Sequence, residues 1–478
     1  MIRYSVGLIA RVEAALLTLP LLVALLYREQ LSALSFAATI AVALLFSLLM
    51  TYRKPVSSVI YAREGFVIVA LSWIVLSVIG AVPFVISGEI PHFVDAFFET
   101  VSGFTTTGSS ILTDVEAMSQ GMLFWRSFTH WVGGMGVLVF VMAILPLSDD
   151  RSIHILRAEA PGPTVGKLVP RMRDTAKILY SIYLAMTVIE VAFLLCGGMP
   201  LFDSLVHAFG TAGTGGFGIK AASIGYYNSA YIDWVITIFM ILFGVNFNLY
   251  YFLLLRRFKD AFLNSELLAY LGIIIGSVAL IAYNIRGYFS SVGDSIRYAA
   301  FQVSTIITTT GYATTDFNLW PSFSKIILVL LMFCGACAGS TGGGIKVSRL
   351  LLMGKMVKKE TRRMLHPRAV SLIKMDGKVV SEDTLSGVTA YMMTYLAIMA
   401  TSVLILAADG FDFETTVTAM ISCLNNIGPG LGLVGPTGNF SEFSILSKLV
   451  LSADMLLGRL EIFPILMLFT PSLWRKKF

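Results

Sequence analysis

The sequence predicts an all-α polytopic membrane protein, made of an N-terminal helix pair and four repeats of span, short re-entrant helix and span. Three observations predict it. The 478 residues are 56% hydrophobic and 13% charged, with a mean hydropathy of +0.80, whereas soluble domains carry roughly 25% charged residues. Basic and acidic connections alternate along the chain. A polar, glycine-punctuated loop that is too hydrophilic for a span recurs four times between apolar segments.

The charges fix the expected orientation. Lys and Arg cluster at residues 53–63, 151–177, 256–259, 346–378 and 475–477, while the intervening connections carry Asp95, Glu99, Asp114 and Glu116, then Asp203 and Asp233, then Asp294 and Asp316, then Asp409, Asp412 and Glu414. By the positive-inside rule the basic clusters and both termini face the cytoplasm. In such a chain the formal charge of +6 reports topology, not a nucleic-acid partner. Residues 5–27 cross outward, "REQ" turns, and residues 34–50 cross back, each near the roughly 20 residues a span needs. Arg11 and Glu13 interrupt the first stretch early and no small-residue cleavage site ends it, so it reads as a retained helix.

From Arg63 the repeats begin. Segments "PHFVDAFFETVS", "PLFDSLVHAFG", "SIRYAAFQVSTII" and "FDFETTVTAMISCL" each offer about 10 to 13 helical residues, too few to cross. Both ends of each lie on the acidic side, so each dips in and returns. The loops that follow are "VSGFTTTGSSI", "HAFGTAGTGGFGI", "VSTIITTTGYATTDF" and "ISCLNNIGPGLGLVG". They align on Gly108, Gly216, Gly311 and Gly428, although Gly213 and Gly215 compete with Gly216 for the second register. Irregular backbone at membrane depth is tolerated only where protein buries it or it lines a wet cavity. Four such loops can share one cavity. Backbone carbonyls there can replace a cation's hydration shell without placing a full charge in the membrane, and the C-terminal ends of four helix dipoles favour a cation. The chain divides accordingly at 1–54, 55–150, 151–259, 260–378 and 379–478.

With these loops in view, the sequence resembles the Trk/Ktr/HKT superfamily of potassium transporters from about Arg63 to its end. The leading helix pair resembles the extra pair of the Trk-type uptake subunit. The resemblance implies four repeats around a pseudo-fourfold pore with potassium as the transported ion, no other metal and no bound cofactor. It implies a selectivity filter of Thr106, Thr107 and Gly108; Thr214, Gly215 and Gly216; Thr309, Thr310 and Gly311; and Asn426, Ile427 and Gly428. The fourth loop departs most, with Asn425, Asn426 and Pro429 in place of the threonines, so backbone carbonyls must carry most of the coordination. In the plant branch a serine replacing the first filter glycine accompanies sodium transport, and the glycine at 108 therefore implies preference for potassium.

Two features lie beyond the filter. "CGACAGSTGGGIKVSR", residues 334–349, interrupts the second span of the third repeat with five glycines, each costing about 1 kcal/mol in a helix, so this stretch is expected to unwind. Arg459 lies mid-span in the last helix, where an arginine costs about 2.5 to 3.5 kcal/mol unless it faces a pore or a partner. Glu461 and Asp454 are at poor helical spacing from it, leaving the carbonyls of the glycine-rich stretch. The resemblance implies that Gly339, Ser340, Thr341, Gly342, Gly343, Gly344 and Lys346 belong to an intramembrane gate and that Arg459 stands beside it.

Other classes fit less well. The C-x-x-C at Cys334 and Cys337 lies in an apolar helix without βαβ context and reads as small-residue packing. "GGGIKV" lacks the Gly-Lys-Ser/Thr of a phosphate loop. The five histidines are scattered and no H-E-x-x-H or G-x-S-x-G occurs, so the chain reads as a transporter and not as an enzyme. A secondary transporter coupling potassium or another monovalent cation to sodium or protons is the main alternative, but such repeats are usually inverted pairs and these four share one orientation. The long basic loops suit anionic membrane lipids or a protein partner. The resemblance adds a homodimer, a cytosolic nucleotide-binding regulatory subunit and a bacterial-type inner membrane.

Overall fold

The computed structural model describes residues 1–53, 62–136, 172–368 and 371–471. The predicted basic stretch at 151–171, the boundaries at 54–55 and 150–151, Lys54 and the cluster at 475–477 lie outside the described residues. The described residues are mostly helical, and six of their helices are long and apolar enough to cross a membrane.

The leading pair comprises Ile2–Leu16, Thr18–Leu26 and Gln30–Thr51. The first span begins before the expected residue 5 and runs on through Arg11, whose guanidinium donates to Ser47 Oγ at 3.2 Å and Thr51 Oγ1 at 3.1 Å on the returning helix. The break at Leu17 follows from Pro20, which has no N–H and whose ring crowds the carbonyl four residues back.

Each repeat then supplies an outer helix, a short helix and an inner helix. They are Ala62–Ser87, Phe93–Phe104 and Gln120–Gly134; Met172–Cys196, Leu201–Gly213 and Ala230–Phe243; Ser265–Ile285, Val292–Ile307 and Ser322–Phe333; Glu382–Leu406, Phe413–Leu424 and Ile445–Arg459. The short helices have 12, 13, 16 and 12 residues. The third exceeds expectation because Ser291 Oγ accepts from Asp294 N at 3.0 Å and starts the helix early. Asp95, Asp203, Asp294 and Glu414 occupy the first turns, where a negative charge favours the positive end of the helix dipole.

The ring closes through neighbours. The inner helix of each repeat packs on the short helix of the next, and the fourth inner helix packs on Phe93–Phe104 of the first. Four short helices are thereby enclosed with the loops that follow them.

Two inner spans depart from the expected straight helix, and one expected break appears. In the second repeat the apolar run bends by 89° between Ala230–Phe243 and Phe247–Leu254. Asn246 caps the new helix, its Oδ1 accepting from Asn248 N at 2.9 Å. In the third repeat the helix stops at Phe333 and resumes as Val347–Leu365, so the glycine-rich stretch does unwind. In the fourth repeat Arg459 is the last residue of its helix, which the sequence predicts to continue. The chain reverses there through Glu461 and Ile462, at φ 56° and 70°, and Pro464 stands at the start of the next short helix, Phe463–Leu468.

Candidate functional site

The four loops share one backbone conformation. Thr106, Thr214, Thr309 and Asn426 are left-handed at φ 55°, 56°, 59° and 57°, and the glycine two residues on is left-handed in each loop. Non-glycine residues rarely adopt this region, so four instances at equivalent positions constitute a repeated design. The pattern aligns Thr214, Gly215 and Gly216 with the other three triplets, the register that sequence had left competing.

The glycines also touch in a cycle. A Cβ built on Gly108 would lie 2.0 Å from Gly215 O, one on Gly216 1.9 Å from Thr310 O, one on Gly311 2.2 Å from Ile427 O, and one on Gly428 2.8 Å from Thr107 O. Each loop therefore needs the missing side chain to approach the carbonyl of the next. Gly108, Gly216, Gly311 and Gly428 line one cavity of about 140 Å³.

The support behind the loops differs between repeats. In the first and third, Thr105 and Thr308 bond both their helix carbonyls and the hydroxyls of Thr107 and Thr310, at 2.8 and 2.7 Å. In the fourth, Asn425 Nδ2 donates to Ile421 O and Tyr395 Oη, each at 2.9 Å. Asn426 Nδ2 reaches sideways to Thr107 Oγ1 and Met455 O, each at 2.9 Å. Gly428 O accepts from Ser422 Oγ at 2.7 Å and Ser109 Oγ at 3.1 Å. Side-chain amides thus do in the fourth loop what threonine hydroxyls do in the first and third, and one of its carbonyls is already engaged.

Sequence reasoning missed a buried ion pair behind the first two loops. Arg126 Nε lies 2.5 Å from Glu99 Oε1, and the same carboxylate accepts from Ser110 Oγ and Ile111 N, each at 3.0 Å. Arg126 also donates to Gly218 O at 2.9 Å and lies 3.5 Å over the Phe217 ring. The chain just after Gly108 and the chain just after Gly216 are therefore bolted to one guanidinium–carboxylate unit. An arginine inside "LFWRSF" was the available signal, by the same reasoning applied to Arg459. His130 adds a second link: its Nε2 accepts from Phe217 N at 3.2 Å, which leaves Nδ1 to donate to Gly103 O at 2.8 Å. Lys448 Nζ lies 2.6 Å from Asp95 Oδ1 and joins the fourth inner helix to the first short helix.

The interrupting loop, residues 334–346, sits against these elements. Gly343 N donates to Thr309 Oγ1 at 2.7 Å, and a Cβ on Gly342 would meet Thr308 O at 3.0 Å. The loop is closed on itself by Gly335 N to Ile345 O at 2.8 Å and by Ser340 Oγ to Cys337 O at 2.6 Å. Gly339 and Gly344 are left-handed, at φ 71° and 67°. Lys346, buried, folds back onto the carbonyls of Gly342 and Gly343. Arg459 donates to Thr341 O at 2.8 Å, Gly133 O at 2.5 Å and Gly134 O at 2.6 Å. The expected partner, a loop carbonyl, is joined by two carbonyls at the end of the first inner helix. Glu461 turns instead to Arg349, which also lies 4.1 Å over Tyr391.

Two further anchors of the loop were not read from sequence. Glu266 Oε1 accepts from Ala338 N at 2.7 Å and Ser348 N at 3.0 Å, holding both ends. The bend in the second repeat supplies the other. Phe247 N donates to Gly339 O and Cys337 N to Gly244 O, each at 3.0 Å, while Thr341 Oγ1 donates to Phe243 O at 3.2 Å. The backbone groups that the bend frees are those the loop satisfies.

This architecture is matched by known proteins. A family described as TrkH, cation transport protein, matches residues 32–476. The potassium uptake protein TrkH of Salmonella typhimurium is 38% identical, over 98% of this chain and 98% of its own. The potassium uptake protein TrkG of Escherichia coli is 34% identical, over 95% of this chain and 94% of its own. The crystal structure of the potassium transporter TrkH from Vibrio parahaemolyticus superposes with a TM-score of 0.89 at 34% identity, covering 99% of each chain. A family match across nearly the whole length, a relative at 38% identity and a shared fold agree that this chain belongs to the TrkH family of cation transport proteins.

Proposed function

We propose that the chain takes up potassium across a bacterial-type cytoplasmic membrane, as the membrane subunit of a Trk system, through the ring formed by its four glycine loops. The observation that carries this reading is the cycle of contacts in which each of Gly108, Gly216, Gly311 and Gly428 meets a carbonyl of the following loop beside one cavity. Carbonyl rings of fixed geometry select ions by the number and field of their oxygens. The names of the relatives, potassium uptake proteins over nearly their full lengths, support the same ion.

Residues 334–346 act in this reading as a gate and Arg459 as its latch. Support comes from the bonds that join the loop to Thr309 on one side and to Arg459 on the other. The remaining parts are a homodimer, cytoplasmic termini and a cytosolic nucleotide-binding regulatory subunit that relieves the latch. Purified protein in liposomes, compared for rubidium, sodium and lithium uptake, tests the ion. Repeating it with and without a proton gradient tests coupling: flux that follows the potassium gradient alone supports the channel-like reading.

A further inference from the structure

Between the outer helix of the second repeat and its bent inner helix lies an apolar groove of about 740 Å³, within the roughly 300–1,000 Å³ of small-ligand sites. One wall is a stripe on Met172–Cys196 that includes Lys177, Ala185 and Ile189. The other is Leu242 before the bend and Tyr250 and Leu254 after it. We propose that this groove binds an anionic phospholipid, one acyl chain lying along the stripe and the headgroup phosphate resting at Lys177.

Length, polarity and charge argue for this occupant. From Lys177 to Ile189 a helix rises about 18 Å, close to the roughly 15 Å of one leaflet's hydrocarbon. The lining is apolar apart from Lys177 and Ser181 at one end and the Tyr250 hydroxyl, which is spent on Leu242 O, and Ile189 and Leu254 are exposed. Lys177 marks the end that meets headgroups. The opposite wall leads from Leu254 straight into Arg256, Arg257 and Lys259, of which Arg257 pairs with Asp260 at 2.8 Å. The basic end is the cytoplasmic one by the charge rule, and Lys and Arg there attract anionic lipid. A second copy of this chain would have to present a single apolar rod with an acidic end to fill the same space.

The position gives the site its consequence. Leu242 and Tyr250, both groove residues, span the 89° bend, and Tyr250 Oη donates to Leu242 O at 2.6 Å. That bend carries the bonds to Gly339, Cys337 and Thr341. A lipid seated here braces both arms of the hinge on which the interrupting loop rests.

The test needs no transport assay, so its outcome is separate from that of the potassium reading. Full-length protein is placed in phosphatidylcholine vesicles containing a photoactivatable phosphatidylglycerol, and labelled peptides are mapped by mass spectrometry. Label is expected on 177–189 and 239–254, displaced by unlabelled phosphatidylglycerol and not by extra phosphatidylcholine. Lys177→Gln should lower it roughly fivefold, and Ala185→Trp, which fills the groove, should remove it. Label spread equally over the exposed face of Ser265–Ile285, equal displacement by phosphatidylcholine, or undiminished label in Lys177→Gln overturns the proposal. Absence of label from both segments does the same.

Discussion

Arg459 donates to the carbonyl of Thr341 at 2.8 Å while also holding Gly133 O and Gly134 O, so one side chain ties the interrupting loop of the third repeat to the inner helices of the fourth and first. In the proposed reading, in which the loop is a gate, a positive charge at this level opposes a passing cation. At about 4 Å and an effective dielectric of 20 the repulsion is about 4 kcal/mol, a ceiling near a thousandfold in rate. Three carbonyls share the charge and reduce it. Arg459→Ala, or deletion of residues 340–344, is therefore expected to raise basal rubidium flux in liposomes on the order of tenfold with ion preference unchanged. Arg459→Lys should fall between, because an ammonium lacks the planar fork that reaches several acceptors. Unchanged or lower flux in inserted Arg459→Ala and deletion protein returns Arg459 to a purely structural role.

Glu266 offers a second handle on the same loop. Its carboxylate is the common acceptor for Ala338 N and Ser348 N, and Glu266→Ala orphans both, at about 1–3 kcal/mol for each buried donor. Cys337 is 1% exposed and reports the consequence. In a Cys196→Ser background, which removes the exposed thiol, Glu266→Ala should speed modification of Cys337 by a small thiol reagent several-fold, and Glu266→Gln less. Equal rates in all three would detach Glu266 from the loop.

The Glu99–Arg126 pair is expected to be strongly coupled. Breaking a buried pair by removing one partner costs about 3–5 kcal/mol. Glu99→Gln and Arg126→Met should each lower the thermal unfolding midpoint in detergent, and the double variant should lose less than the sum, since residues in one network are not additive. Because the pair anchors Ser110, Ile111 and Gly218 beside the loops, both single variants should also weaken potassium-over-sodium preference. Additive losses with intact preference would make the pair a bystander.

At the mouth of the glycine-lined cavity Lys220 Nζ lies 3.0 Å from Glu116 Oε2. Hydrogen bonds from Lys220 and Ala221 N hold the Glu116 carboxyl below its usual range, and the same pairing raises Lys220. A depressed carboxyl contributes above its unfolded value, near 4.5, and the contribution is lost as pH falls through the lower folded value. A raised lysine contributes below its unfolded value, near 10.5, and its contribution is lost as pH rises through the folded one. The pair thus persists from about pH 4.5 to 10.5, and external pH between 6 and 8 should not alter flux through it. Glu116→Gln removes the carboxylate that pairs with Lys220 beside the cavity and leaves only the Asp203 charge nearby. It should reduce rubidium entry at low ionic strength and match the parent at high salt, where charges are screened within about 3–10 Å. A salt-independent deficit would point to misfolding of the mouth.

Much of this was legible in sequence because it is local. The four short helices follow from apolar length, the break at 334–346 from five glycines, and the need of Arg459 for carbonyls from the cost of a buried charge. The 89° bend was not legible. "FGVNF" is a mild interruption, and what holds it open is hydrogen bonding to Gly339, Cys337 and Thr341, a hundred residues away. Glu266 and Arg126 were missed for the same reason: a charge in an apolar segment announces that it has a partner, and only the fold says which. The second loop is the intermediate case, with three glycines competing until the left-handed Thr214 and Gly216 fixed the alignment.

Gly108 bears most directly on the central claim, that the glycine ring selects the ion. It is left-handed at φ 82°, and a side chain there would drive a Cβ to 2.0 Å from Gly215 O. Gly108→Ser must therefore displace the carbonyls of the first or second loop and change their number and geometry about the axis. The measurement is the ratio of rubidium to sodium permeability of parent and Gly108→Ser protein, reconstituted side by side. The account predicts a parent that favours potassium and rubidium over sodium and lithium, and a variant whose ratio falls toward one while uptake persists. Equal ratios in parent and variant would contradict it.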